Sequence, residues 1–355
     1  MKFRILAINI GSTSLKTGAF ENKNELFREQ ISSYDQDIAS RLSGYSDWLQ
    51  FHRESLLQVL KKHEVKLKKL DMIVSRGAIT RPIESGAYFI NKAMVQDLRS
   101  SSYGWHPSNV GPEIALKIAE RFGTDAIIYD SPSTDEMDDL ARVSGLKGIQ
   151  RRAAHHVLNQ KAAAKKAATK LGKEYTDTCL VVAHLGGGIT VSAHRYGRIM
   201  DGTHGLSEGP FTPQRTGSLP LLDLINLCFS REYSRHELER KLLSRGGIFS
   251  YLGTHDIKEV ETKVLKSDSY AHLILRAMAY QISKEIGSMA TSLKGKVDAV
   301  VLTGNLSRSK MLIGEIKERV NFIAPVMVFP GEEELEALVN GALDVLRGKE
   351  KIKVY

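Results

Sequence analysis

Two short stretches hold residue types suited to gripping an anion. The apolar run that opens at Ile5 breaks into Gly-Ser-Thr-Ser in NIGSTSLK (9–16) and then resumes. A second run, from Cys179, breaks into three glycines in HLGGG (184–188) and resumes as a β-branched strand. A turn made of Gly, Ser and Thr has little side-chain bulk, so its backbone N–H groups and hydroxyls can come close to a phosphate. Aligning Gly11 with Gly186 sets Asn9 opposite His184 and Ile10 opposite Leu185. The two turns thus form a matched pair able to hold a polyphosphate from both sides. Neither has the P-loop spacing, and the strand after the three glycines stands where a Rossmann loop would open a helix, which disfavours dinucleotide binding.

The elements that must position these turns repeat as well. MIVSRGAI (72–79) and AVVLTGNL (299–306) each read as a strand running into a glycine turn, at Gly77 and Gly304, and each follows a helix-like segment, Trp48 to Leu60 and Ala271 to Leu293. KAAAKKAATKL (161–171) reads as a helix and AIIYD (126–130) as a short buried strand ending in an acid. The second half is longer, mostly through a Gly-rich segment from Asp201 onward, where specialised function is expected. The pattern predicts a duplicated α/β chain, two similar domains dividing near residue 150 and facing each other across a cleft, a natural place for a nucleotide and a second substrate.

Composition sets limits on these readings. The chain has 355 residues, 42% hydrophobic and 26% charged, with a formal net charge of +9. That suits a globular α/β protein that gathers small anions. No zinc-finger spacing or helix-turn-helix stands out, so no nucleic-acid partner is expected. Cys179 and Cys228 are too few for a disulfide framework or metal cage. The first strand begins almost at once and no apolar run reaches membrane-spanning length, so a cytoplasmic protein without a membrane partner is expected.

NIGSTSLK, HLGGG and LTGNLSR (302–308) resemble the first phosphate, second phosphate and adenosine motifs of the acetate and sugar kinase, heat-shock protein and actin superfamily. More narrowly they resemble the carboxylate kinases, and MDGTHGLSEGPFTPQRTGSLP (200–220) is similar to the butyrate kinase branch in particular. Where acetate kinases usually have His-Leu-Gly-Asn-Gly, this chain has Gly187. The resemblance implies two duplicated actin-like, ribonuclease H-like domains. The first comprises 1–150 and a returning helix in 331–355, and the second, 151–330, holds the adenosine site. It implies the reversible reaction of ATP and butanoate to give butanoyl phosphate and ADP, with Mg2+, in a homodimer or higher homo-oligomer. The alternatives are a kinase of acetate, propionate or 2-methylpropanoate and, more remotely, a non-catalytic nucleotide sensor or chaperone.

A carboxylate is ionised at neutral pH and needs no general base, so positioning and positive charge do the work. By resemblance Arg76 holds the carboxylate, with Arg81 a nearby rival, and Arg215 contacts both carboxylate and transferring phosphoryl. His156 lies beside the phosphoryl group, with His155 competing, and His106 orients the acyl group. Asp130 holds magnesium or orients its neighbours, while Asp135, Glu136, Asp138 and Asp139 decorate a helix start. Glu333 binds magnesium, in a register that Glu332 or Glu334 could equally fill. Asn9 and Ser12 face phosphate or the metal's water shell, and Lys16 supports the hairpin. His184, Gly186, Gly187 and Gly188 cradle phosphate, and Gly304 and Asn305 lie under the adenosine.

Overall fold

Ile5 through Ile8 are fully buried, as expected of a strand covered on both faces. In the computed structural model, which describes residues 1–11, 14–32, 42, 44–63 and 69–355, they lie in the middle of a seven-stranded sheet. Ser12 lies outside the described residues. The chain forms two compact units, Met1–Asp135 with Glu333–Tyr355, and Glu136–Glu332.

In the first unit β1 (Arg4–Ile10), β2 (Ser14–Glu21) and β3 (Asn24–Ser32) form an antiparallel meander. β4 (Met72–Ser75) adds parallel to β1, and β6 (Asp125–Tyr129) parallel to β4. β5 (Ala87–Phe89) and a two-residue strand, Lys353–Val354, extend the edge. Helices Gly111–Phe122 and Glu334–Leu346 both pack on β1, β4 and β6. The contact is close enough that a Cβ on Gly341 would stand 2.6 Å from the Tyr129 ring.

The second unit repeats the plan. β7 (Cys179–Leu185), β8 (Ile189–Arg195) and β9 (Arg198–Gly202) are an antiparallel meander; β10 (Ala299–Gly304) and β11 (Val326–Pro330) add in parallel beside β7. Counting strands within each unit, both sheets run third, second, first, fourth, followed by β6 in the first unit and β11 in the second. The period of two explains the uninterrupted apolar run of β7. Val181, Ala183 and Leu185 join one core with helix Ser269–Ser292; Leu180 and Val182 join another with Ala163, Ala164, Ala167 and Ala168 of helix Val157–Lys170. The chain therefore has two duplicated actin-like domains, as the echoing motifs imply.

The first unit ends at Asp135, whereas the sequence pattern divides the chain near 150. Glu136 pairs with buried Lys161 at 2.8 Å and Asp138 with Arg195 at 2.7 Å. These two acids therefore tie the segment to the second unit; of the expected helix-start acids, Asp138 is the N-cap and Asp139 the first residue of helix Asp139–Arg142, and Asp135 and Glu136 lie before it. Among the described residues no helix is long and apolar enough to cross a membrane.

Candidate active site

Strand register fixes which predicted residues share an edge. β1 and β4 align Ile8 with Ser75, and β4 and β6 align Ser75 with Ile128, so Asn9, Arg76 and Asp130 all emerge within two residues of the carboxyl ends of three adjacent parallel strands. That end of an α/β sheet is the usual ligand crevice. Asn9 is buried and donates through Nδ2 to Glu334, and among the described residues its Oδ1 has no partner. Lys16 and Arg76 approach the same Glu334 carboxylate at 3.8 and 3.7 Å. Asp130, also buried, has φ +43°, a left-handed conformation that a short acidic side chain tolerates. Its Oδ1 is fixed by Ser85 Oγ at 2.5 Å and Gly86 N at 3.0 Å.

Two loops complete this half-site. Gly77, at φ +84°, allows the chain to turn just after Arg76, and a Cβ there would strike Ser131 Oγ at 2.9 Å. His106 caps a short helical turn, its Nδ1 accepting from Ser108 N at 3.1 Å. Arg81 stacks on the Tyr355 ring and reaches Asp97 at 3.8 Å, which commits this rival to the C-terminal tail.

In the second unit His156, His184, Gly188 and Arg215 lie together. The His156 and His184 rings stack at 3.9 Å with 10° between planes. His156 Nδ1 meets Thr190 Oγ1 at 2.9 Å, and His184 Nδ1 meets Asn159 Oδ1 at 2.8 Å. A Cβ on Gly188 would stand 2.6 Å from Arg215 Nη1 and 3.2 Å from His156 Cε1, so a larger residue would push the Arg215 guanidinium out of this position. Gly187 is the exposed residue of this turn and Gly186 is buried. His155 points elsewhere: it is buried beside Gly202, with Nδ1 3.2 Å from Thr203 O.

Arg215 sits on a tight loop. Thr212 Oγ1 accepts from Arg215 N at 2.9 Å and donates to Gly187 O at 2.8 Å, tying this loop to the glycine turn. Gly247, at φ +58°, lies so close that a Cβ would overlap Thr212 O. The guanidinium donates from Nη1 to Gly205 O at 2.7 Å, while its buried Nε has no partner among the described residues. Among the described residues no carboxylate pairs with it, and burial holds Arg215 below the usual arginine range. Arg151 braces the segment that presents Gly205, binding Asp201, Glu208 and Gly202 O.

Gly304 has φ +90°, and a Cβ would fall 2.3 Å from Leu185 O, so crossing of β10 over the end of β7 already demands glycine. Asn305 is exposed at the start of the next helical turn. The three candidate acids diverge: Glu332 lies 3.5 Å from His184 Nε2 in the second unit, Glu333 is exposed, and Glu334 faces Asn9.

Sequence reasoning missed the residues that contact these groups or, for Arg151, the segment that presents Gly205: Thr212, Asn159, Thr190 and Arg151. Thr212 and Arg151 lie close in sequence to predicted residues, but neither residue type announced a role. A half-buried positive charge at Arg215 with no carboxylate beside it among the described residues suits a phosphate-bearing ligand. Magnesium in phosphoryl-transfer sites is held by one or two carboxylates together with substrate phosphates. Glu334 is one such carboxylate, and the amide oxygen of Asn9 beside it, without a partner among the described residues, is a further oxygen ligand. Among the described residues no cluster of three or more His, Cys, Asp or Glu side chains is arranged to hold a metal by itself.

The fold is shared with solved structures at low sequence identity. An acetate kinase from Porphyromonas gingivalis superposes with a TM-score of 0.80 at 18% identity, over 97% of this chain and 100% of the other. A propionate kinase from Francisella tularensis gives 0.75 at 18%, over 95% and 98%. A ROK hexokinase from Thermus thermophilus gives 0.52 at 14%, over 98% and 100%. The model of the acetokinase family matches residues 141–323, more than half of the 355, spanning the Arg215 loop and the glycine turn. With that match, the chain belongs to the acetokinase family of carboxylate kinases.

Proposed function

We propose that the chain acts as a butyrate kinase, moving the γ-phosphoryl group of ATP reversibly to butanoate by direct in-line transfer. A carboxylate oxygen forms the new bond to phosphorus as the bond to the ADP oxygen breaks, and no proton needs removing because the acid is already ionised. The observation that carries this reading is Arg215: a half-buried guanidinium that, among the described residues, has no carboxylate partner and no partner for its buried Nε, against Gly188 and His156. Such a fork suits the charge that spreads over a transferring phosphoryl group. Arg76 holds the carboxylate; its guanidinium already lies 3.7 Å from one, that of Glu334. His106 orients the acyl group, His184 and the 186–188 turn hold the phosphates, and Gly304 and Asn305 lie under the adenosine. Bound Mg2+ would neutralise phosphate charge, held by Asn9, Asp130 and an acid of the 332–334 run, of which Glu334 adjoins Asn9.

Preference for butanoate rests on the resemblance of residues 200–220 to butyrate kinases. One methylene in an apolar pocket is worth about 1–3 kcal/mol, so activity should extend to neighbouring acids. We also assign a homodimer or higher homo-oligomer, in the cytoplasm. Leu221, Leu222 and Phe229 on helix Leu221–Phe229 are 75%, 76% and 81% exposed, an apolar face suited to a second copy. The test of function is a hydroxamate trap for acyl phosphate with ATP, magnesium and straight or branched acids of two to six carbons. A maximum at butanoate is expected. A maximum at a branched acid would transfer the reading to that substrate, and no product with any acid despite ATP binding would sink it in favour of a sensor.

A further inference from the structure

In the first unit Arg76 and His106 stand on separate loops, and one buried side chain joins them. Asn109 is 0% exposed. Its Oδ1 accepts from Ile79 N at 3.2 Å, three residues after Arg76, and its Nδ2 donates to Gly104 O at 2.9 Å, two residues before His106. The two loops also touch: Gly104 has φ +130°, and a Cβ there would stand 3.3 Å from Ile79 Cγ2. Asn109 N donates to His106 O at 2.8 Å. Behind it, Tyr45 Oη donates to Glu113 at 2.9 Å and lies 3.4 Å from Asn109 O. Glu113 is itself clamped by Arg99 at 2.5 Å and Lys117 at 2.7 Å.

An amide can do what no smaller or apolar side chain does here, because it offers one acceptor and one donor in a fixed plane to two backbone groups on different loops. A residue set this way acts on geometry, and small displacements of a substrate-holding group cost rate steeply. We propose that Asn109 is a positioning residue for the carboxylate side of the reaction, locking the Arg76 and His106 loops in one mutual arrangement. The functional part of this inference rests on the kinase reading above, whereas the coupling of the loops stands apart from it.

The test pairs hydrogen exchange with kinetics on full-length Asn109→Ala and Asn109→Asp, with Thr178→Val as control. Thr178 is a buried hydroxyl of the second unit, bonded to Tyr175 O at 2.9 Å. In Asn109→Ala, amides of 77–80 and 102–106 should exchange at least tenfold faster together. Asn109→Asp keeps the acceptor for Ile79 N and loses the donor to Gly104 O, so only 102–106 should loosen. The KM for the carboxylate should rise at least tenfold in Asn109→Ala with the KM for ATP within twofold of wild type, and Thr178→Val should show neither change. Unchanged exchange in both loops, or equal rises in both KM values, would overturn the proposal. A wild-type protein that phosphorylates no carboxylate would overturn the kinase reading instead, and exchange would still decide whether Asn109 couples the loops.

Discussion

The hairpin turns of the two units grow from strands in the same order, yet their chemistry differs. At the end of β1 a carboxylate, Glu334, sits among Asn9, Lys16 and Arg76, so positive charge there is compensated from within the chain. At the end of β7 the carboxylate Glu332 faces a histidine, and the half-buried Arg215 has no carboxylate partner among the described residues. A duplicated scaffold sets where loops emerge but not what they carry. The end of β1 carries a cation beside a carboxylate of its own chain, whereas the end of β7 adjoins a guanidinium with no carboxylate partner among the described residues.

The sharpest way to break this contrast is at Arg215. Arg215→Lys keeps a charge but loses the planar fork, and we expect kcat to fall about a thousandfold with a small change in the KM for ATP, by analogy with loss of transition-state donors. Acyl hydroxamate formation measures it, and a fall under tenfold would mean that Arg215 is structural. Next comes a matched pair of turn substitutions. Gly188→Ala drives a methyl to 2.6 Å from Arg215 Nη1, whereas at Gly11 an added Cβ would meet, among the described residues, nothing nearer than Ser14 O at 3.5 Å. We expect about a hundredfold loss of kcat/KM for the first and a few-fold loss for the second. Similar losses would erase the proposed difference between the turns.

The duplicated fold was legible because strand cores obey a period of two. Val181, Ala183 and Leu185 alternate with Leu180 and Val182 between two cores, and both halves show apolar strands broken at Gly11 and Gly186. His156, Gly188 and Arg215 were legible by type and motif, and they lie together. What sequence could not give was the set of residues acting at long range. Nothing local marks Asn109 as bridging two loops, because its partners, Ile79 and Gly104, are set by tertiary packing. Nor could three successive glutamates be sorted, since one residue of register turns a side chain from His184 to solvent to Asn9. Gly304 was read as leaving room for adenosine, but the backbone of Leu185 is reason enough.

That register supplies the third test. Glu334→Gln keeps the shape of the side chain beside Asn9 and removes its charge. The concentration of magnesium for half-maximal rate should rise about tenfold, with Glu333→Gln giving the smaller change of the two. A larger effect at Glu333 would move the metal away from Asn9 and the first turn.

The smallest effect is on stability, and it again sets one unit against the other. Glu113 in the first unit is held at about 2 by Arg99, Lys117 and Tyr45, which outweigh the cost of its burial. Glu285 in the second unit is pushed up, chiefly by burial, against the pull of Arg151. For Glu113 the folded value lies below the unfolded one of 4.5, so its stabilisation is complete above 4.5 and is lost as pH falls from there toward 2. Glu285 has the opposite sign: its ionisation opposes folding at neutral pH, and acid relieves that opposition as pH falls through its raised folded value toward the unfolded one. Between pH 7 and 3.5 the Glu113 contribution should fall by about 1.4 kcal/mol, a few degrees in Tm. Melting Glu113→Gln across that range should flatten the acid-side loss relative to wild type, and Glu285→Gln should steepen it. If the two variants change the slope in the same direction, the opposed electrostatics of the two units are wrong.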